Sequence, residues 1–530
     1  MGNYEQFRDV HTLLEEQAKE RPNKVYLESP DQGKNITFGQ TAAWCHCVAN
    51  FLSRQGIKRD DKVAMIAENS IETLLLYFGV LNYGAIINPI NVEESQENVY
   101  RLLSISQPKI VFYGQELTFD QEKYKGSKWI PFTEFIGEGA PQNEFSTGLK
   151  RCSPVFEQAM LSKDGFSTIT FTSGTTATPK AVVSSRESTY FMAVEAIDRL
   201  GITERDVMLD YRAYNWNSPQ ILSIGPCLIT GTTLVYGRKF SRSRFASWLK
   251  DYKVTICIGV PTVINFLLEQ EVPLHKKDVP ALKFMTSSSA PLLVKNQLRF
   301  EERYGIPINQ LAGSSEANLI ACNEPFDVAL LKQKIGSIGK APKYKEVFVI
   351  DEQGERLPAG EEGEIIVRGK SMAVGYLWEN GEITRFPEDG FHTGDLGHID
   401  SDGYIYITGR KKNQIDRGGV KISPAEITNW LMEHPAVHQA ETIGVPDKVY
   451  GEEVASFIIP KAGYQVTQQE IASHCQRKLP DFKLPKTICF LDQFPTGPTG
   501  KVTKAGLLKI WEEKYQKPTG DSVVSYKDGK

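Results

Sequence analysis

The chain has 530 residues, of which 41% are hydrophobic and 24% charged, an ordinary globular composition that excludes a disordered or fibrous chain. That length exceeds the size at which single cores stop growing, so at least two domains are expected. A formal net charge of -4 without clustered Lys and Arg excludes a nucleic-acid groove and a polybasic membrane surface.

In chain order, the opening MGNYEQFRDV lacks the apolar core of a signal peptide, and Gln6 stands where a myristoylation motif needs Ser or Thr. Up to about residue 350, amphipathic helical patterns alternate with short β-branched runs, the sign of parallel strands joined by crossover helices. DKVAMIA precedes IETLLLYFGVLNYG, IINPI precedes ESQENVYRLLSISQ, and PKIVFYG closes that unit. The longest apolar stretch, at 73–87, is shorter than the roughly 20 residues that span a bilayer and reads as a buried helix running into a buried strand. STITF predicts a strand leading into TSGTTATPKAVV at 172–183, and DVMLDY, TTLVYG and TICIGV then alternate with segments such as SRSRFASWLKDYK. An α/β architecture follows.

From about Gly336 the pattern changes to EVFVID, EIIVRG and YIYITG, alternating strands that suggest a β-rich module closing the large domain. After Arg410, SPAEITNWLMEHP predicts a helix with Ser423 as N-cap, Pro424 at the first helical position and Glu426 as capping-box partner. Ile427, Trp430 and Leu431 share one face, and Pro435 stops the helix. With VASFIIP and TQQEIASHCQRKL this gives a small α+β domain. The expected boundaries are 1–410, 411–515 and a disordered tail at 516–530. The eight cysteines show no metal-ligand spacing and read as reduced core thiols of a cytoplasmic protein.

A Gly-containing loop directly after a strand can turn backbone N–H groups toward one anion. In TSGTTATPK, Thr172, Ser173, Thr175 and Thr176 add hydroxyls around Gly174, and Lys180 adds a mobile cation. The segment is not a P-loop, because Pro179 and Ala181 occupy the places of its second Gly and its hydroxyl. By itself it reads either as a phosphate grip or as a solvated polar turn.

TSGTTATPKAV, LAGSSEA, FHTGDLG, YIYITGRKKNQIDRGGVKISPAEI and PTGPTGKV recur in a fixed order. As a set they resemble the adenylate-forming superfamily of acyl-CoA synthetases, adenylation domains and beetle luciferases, and the resemblance covers essentially the whole chain. It implies a large N-terminal domain of stacked mixed sheets with flanking helices, followed by a small mobile C-terminal domain. It also implies a two-step reaction. A carboxylate attacks the α-phosphate of MgATP to give an acyl-adenylate and pyrophosphate, and a thiol, usually that of coenzyme A, then displaces AMP.

The resemblance further implies residue roles. Glu316 would hold Mg²⁺ and Ser315 would bond the α-phosphate, next to Gly313. Asp395 would accept the ribose hydroxyls, Arg410 would contact ribose and phosphate, and Lys412 marks the hinge. Lys501 would bridge the attacking carboxylate and the α-phosphate. Gly418, Gly419 and Lys421 in RGGVKIS would swing toward the pantetheine arm of coenzyme A, although a plain turn also uses Gly-Gly.

Three departures stand out. Ala177 and Ala181 replace loop glycines, which would strain any position needing φ > 0. Ala312 replaces a common adenine-stacking ring. SSSAPLL puts Ser288 and Ser289 where glycines normally admit the acyl chain, and Asn215 and Trp216 also alter that pocket, pointing to a short or aromatic polar acid. Carrier-protein loading in trans and a catalytically inactive adenylate-binding relative are the alternatives. TGDS at 519–522 is followed by too short a segment for a carrier's helical bundle.

Overall fold

The computed structural model describes residues 4–137, 140, 143–172, 179–324, 328–496 and 502–514. Its chain forms two compact units, one of residues 1–347 with 367–391 and the other of residues 348–366 with 392–530.

The first unit is built on two eight-stranded mixed sheets. In one, Phe284–Ser287, Ile256–Cys257, Val207–Asp210, Thr233–Tyr236 and Val25–Ser29 form a parallel run in that order. Its edges are the antiparallel Asn318–Cys322 and Lys34–Thr37. In the other, Lys62–Ile66, Ile86–Ile90, Ile110–Gly114 and Lys128–Phe132 are parallel. Antiparallel Ala181–Ser185 and Gly375–Leu377 extend that sheet beyond Phe166–Phe171.

The apolar run read from the sequence is the helix Ile71–Tyr83, stopped by Gly84 at φ 90, followed by the fully buried strand Ile86–Ile90. Glycine ends the helix there because it takes the left-handed conformation without a Cβ penalty. One core holds Val63 and Ile87 of one sheet, Met208 and Ile256 of the other, and Leu74, Phe191 and Leu228 from helices. The opposite face of the first sheet is covered by a second core containing Trp248, Ile264 and Phe300. Parallel strands buried on both faces in this way account for the nearly unbroken Val, Ile and Leu runs.

The second unit carries most of a four-stranded sheet in the order Lys345–Ile350, Gly363–Gly369, Phe391–Ile399, Ile405–Arg410. It also has a sheet centred on the antiparallel pair Val437–Asp447 and Gly451–Pro460. Its core includes Ile427, Leu431, Val454 and Ile471. The expected helix is present as Pro424–Met432 with Pro424 at its start.

The capping box is not formed. The Ser423 hydroxyl donates instead to the Thr408 carbonyl at 2.9 Å, and Glu426 accepts from Lys483 at 2.6 Å, so both side chains are spent on tertiary partners. The Ser423–Thr408 bond ties the strand before Arg410 to the helix after it.

All eight cysteines are free and buried. No helix among the described residues is long and apolar enough to cross a membrane.

Candidate active site

The first unit places its chemistry at strand ends. The strand Phe166–Phe171 is followed by antiparallel Ala181–Ser185, with TSGTTATPK between the two in the sequence. Its base is pinned by Thr172 N–H donating to the Lys180 carbonyl at 3.0 Å and by Lys180 N–H reaching the Thr172 hydroxyl at 3.4 Å. Ser173, Gly174, Thr175, Thr176 and Ala177 lie outside the described residues. Ala181 pairs with Phe171 and Leu377 and is absent from the positive-φ positions, so its Cβ carries no backbone strain.

Lys180 Nζ stands 4.5 Å above the Tyr376 ring, and the Tyr376 hydroxyl donates to Glu316 Oε1 at 3.0 Å. Lys180 and the acidic residue of LAGSSEA are therefore joined through one aromatic side chain. Burial, followed by the neighbouring Glu316 carboxylate, pushes the Tyr376 hydroxyl far above its ordinary value, which keeps it a donor. The Glu316 carbonyl also accepts from Ala373 N–H at 3.0 Å.

Gly313 is required by close approach, since a Cβ there would lie 2.4 Å from the Asn318 carbonyl oxygen. It sits at a register shift of the strand pair Ile308–Ser314 and Asn318–Cys322, where bulges re-aim neighbouring side chains. Half-buried Ala312 faces Ala321 in that pair, and Ser315 follows half-buried in the turn.

Asn215 is buried and Trp216 half-buried, just before a helical turn, a π-helical turn and the helix Gly225–Thr230. Ser288 directly follows the parallel strand Phe284–Ser287 and is 2% exposed. Its hydroxyl, like that of Ser287, finds no hydrogen-bond partner among the described residues. Ser289 is exposed at φ 73, so only Ser288 turns the Gly-to-Ser change into a buried polar group.

In the second unit, Asp395 and Arg410 are directly paired across antiparallel strands, with Nε to Oδ1 at 2.5 Å. Burial raises the Asp395 carboxyl, while Arg410 and then Lys412 oppose that rise. Lys412 lies in the short helical turn Lys411–Asn413.

Gly418 and Gly419 connect the strands Ile415–Arg417 and Val420–Ile422 with φ of 60 and 88. Two consecutive positive φ values are what a tight two-residue hairpin demands, so the turn alone accounts for this glycine pair. Gly419 N–H and Lys421 Nζ both bond Asp416, at 2.9 and 2.6 Å. Lys501 lies outside the described residues.

The family model for AMP-binding enzymes matches residues 14–377. The chain belongs to the AMP-binding enzymes. The family's C-terminal domain matches residues 426–501. This AMP-binding enzyme is 30% identical over 511 residues to the sulfoacetate–CoA ligase of Cupriavidus necator, covering 95% of the chain and 98% of that relative. It is also 30% identical over 519 residues to the oxalate–CoA ligase of Arabidopsis thaliana, covering 95% and 98%. ATP-bound MatB from Rhodopseudomonas palustris matches the fold with a TM-score of 0.84 at 25% identity, over 96% of this chain and all of that one.

The position of Tyr376 carries no sequence signal. Tyr376 reads as an ordinary strand residue, and its link to Lys180 and Glu316 arises only when distant strands meet.

Proposed function

We propose that this AMP-binding enzyme is an acid–thiol ligase for a short or aromatic acid bearing a second polar group. It activates the carboxylate with ATP and transfers the acyl group to coenzyme A, releasing AMP and pyrophosphate. The observation that carries the substrate class is the Ser288 hydroxyl, buried and without a partner among the described residues. Such a group costs about 1–3 kcal/mol, which a polar substituent on the acid recovers and an alkyl chain does not. Sulfoacetate and oxalate, the acids named for two relatives, are small and carry a second acidic group.

In the first step Lys180, with the hydroxyls of Thr172, Ser173, Thr175 and Thr176 around Gly174, holds the departing pyrophosphate. Ser315 and the Gly313 backbone face the α-phosphate, and Asp395 with Arg410 holds the ribose. Lys501 offsets the repulsion between the acid carboxylate and the α-phosphate. Asn215, Trp216, Ser288 and Ala312 shape the acid pocket. Glu316 would hold Mg²⁺, which neutralises phosphate charge when bound. A single oriented carboxylate, with no cluster of three acidic, His or Cys ligands among the described residues, suits a cation that completes its shell with phosphate and water. For the second step, rotation about Lys412 brings Gly418, Gly419 and Lys421 toward coenzyme A. Eight free, buried thiols fit a reducing, cytoplasmic setting.

Acid-dependent exchange of labelled pyrophosphate into ATP, followed by CoA-dependent AMP release, tests the reaction. The panel holds sulfoacetate, oxalate, hydroxy, amino and aryl acids against palmitate. Exchange with a small polar acid and CoA-stimulated AMP release is expected. A palmitate preference overturns the substrate class, exchange that ignores CoA indicates a carrier protein as acceptor, and absence of exchange indicates an inactive relative.

A further inference from the structure

A continuous line of buried polar contacts runs through the first unit and reaches both loops of the proposed site. On the helix Arg186–Leu200, Glu195 Oε2 pairs with Lys345 Nζ at 2.9 Å, both side chains 0% exposed. Lys345 also donates to the Leu319 carbonyl at 2.7 Å, and the other Glu195 oxygen accepts from the Ser371 hydroxyl at 2.8 Å. The Ser371 carbonyl in turn accepts from Asn318 Nδ2 at 2.6 Å. Asn318 Oδ1 accepts from Asn217 Nδ2 at 2.7 Å.

Two neighbouring members of this line adjoin the proposed site. Asn217 directly follows Trp216 of the acid pocket, and Asn318 stands two residues after Glu316. Asn318 is 0% exposed and has φ 55, a conformation that Asn tolerates better than most side chains. Its amide has one orientation that satisfies both neighbours, because Asn217 offers a donor and Ser371 an acceptor. An ion pair buried on both sides and hydrogen-bonded further is costly to break, so Ser371 is a fixed post. A shift of the Trp216 turn is then passed to the Glu316 loop rather than absorbed.

We propose that Asn318 is a positioning residue that couples acid binding at the Trp216 turn to MgATP binding at the Glu316 loop, with the Glu195–Lys345 pair as its anchor. This rests on the reading of the two loops given under Proposed function. Coupling means that each ligand tightens the other by one and the same factor.

The test uses the full-length enzyme and the panel acid that supports the fastest exchange. The KM for MgATP is measured by pyrophosphate exchange at low and at saturating acid, and the KM for the acid at low and at saturating MgATP. Asn318→Gly keeps the left-handed backbone and removes both amide bonds. Asn217→Ala severs the bridge from the other side, away from the positive-φ position, and serves if the glycine variant does not fold. Wild-type enzyme is expected to show a fall in KM of roughly fivefold or more, at the lower end of typical couplings, for each substrate when the other is saturating. Either folded variant should reduce it to near one, with the melting temperature reported alongside.

Coupling that survives in both variants, or a wild-type enzyme whose two KM values are independent, overturns the inference while leaving the ligase reading intact. Absence of exchange with every acid overturns the ligase reading itself. A uniform fall in kcat with coupling preserved marks Asn318 as merely structural and also overturns the proposal.

Discussion

Replacing Tyr376 by Phe removes one oxygen atom and leaves the ring beneath Lys180. The lost bond is the 3.0 Å donation to Glu316 Oε1. A hydrogen bond to a charged group contributes about 1.5–3 kcal/mol, and because both side chains are only half-buried the lower end applies. At about 1.4 kcal/mol per factor of ten, kcat/KM for MgATP in pyrophosphate exchange should fall about tenfold at saturating acid. Tyr376→Leu also removes the Lys180–ring contact at 4.5 Å. Such contacts are worth about 0.5–1 kcal/mol at exposed sites, so a further fall of roughly two- to fivefold is expected. The melting temperature of the Phe variant should fall by no more than a few degrees, because the packed ring is retained and only one hydrogen bond is lost. A Phe variant with wild-type efficiency would refute the orienting role of the hydroxyl, and equal values for Phe and Leu would refute the ring's role toward Lys180.

Two stability predictions come from residues outside that contact. Glu441, on the strand Val437–Asp447 opposite Phe457, is raised by burial from 4.5 to about 7. The folded carboxyl keeps a proton that the unfolded chain releases, so stability falls as pH rises from about 4.5 to about 7 and is level above. The full linkage is about 3 kcal/mol, discounted to about 1–2 kcal/mol for partial exposure. Glu441→Gln should flatten denaturant unfolding across that window, and parallel pH curves for the two proteins would contradict the assignment. Ser289→Gly relieves a φ of 73 at an exposed position. Left-handed backbone costs an L-residue about 1–2 kcal/mol, partly offset by the entropy of glycine. A net gain of about 0.5–1 kcal/mol is expected in equilibrium unfolding, and no gain would show that the turn is held by other forces.

The sequence by itself determined the α/β class, the buried helix running into a buried strand at 73–87, the N-terminal proline of the helix after Ser423 and the order of the five motifs. These are local properties. Periodicity, turn chemistry and fixed spacing are written in neighbouring residues and survive without knowledge of the fold. Only the tertiary structure decided that Ser423 and Glu426 bond Thr408 and Lys483 rather than each other's backbone, because a tertiary partner competes for the same polar atoms. It also decided that Ser288 is buried while Ser289 is exposed, since adjacent residues leaving a strand face different surroundings. The meeting of Lys180, Glu316 and Tyr376, and of Glu195 with Lys345, depends on strands and helices far apart in the chain. Neither contact leaves a local pattern, because the energy that selects it comes from burial against elements the chain reaches only on folding.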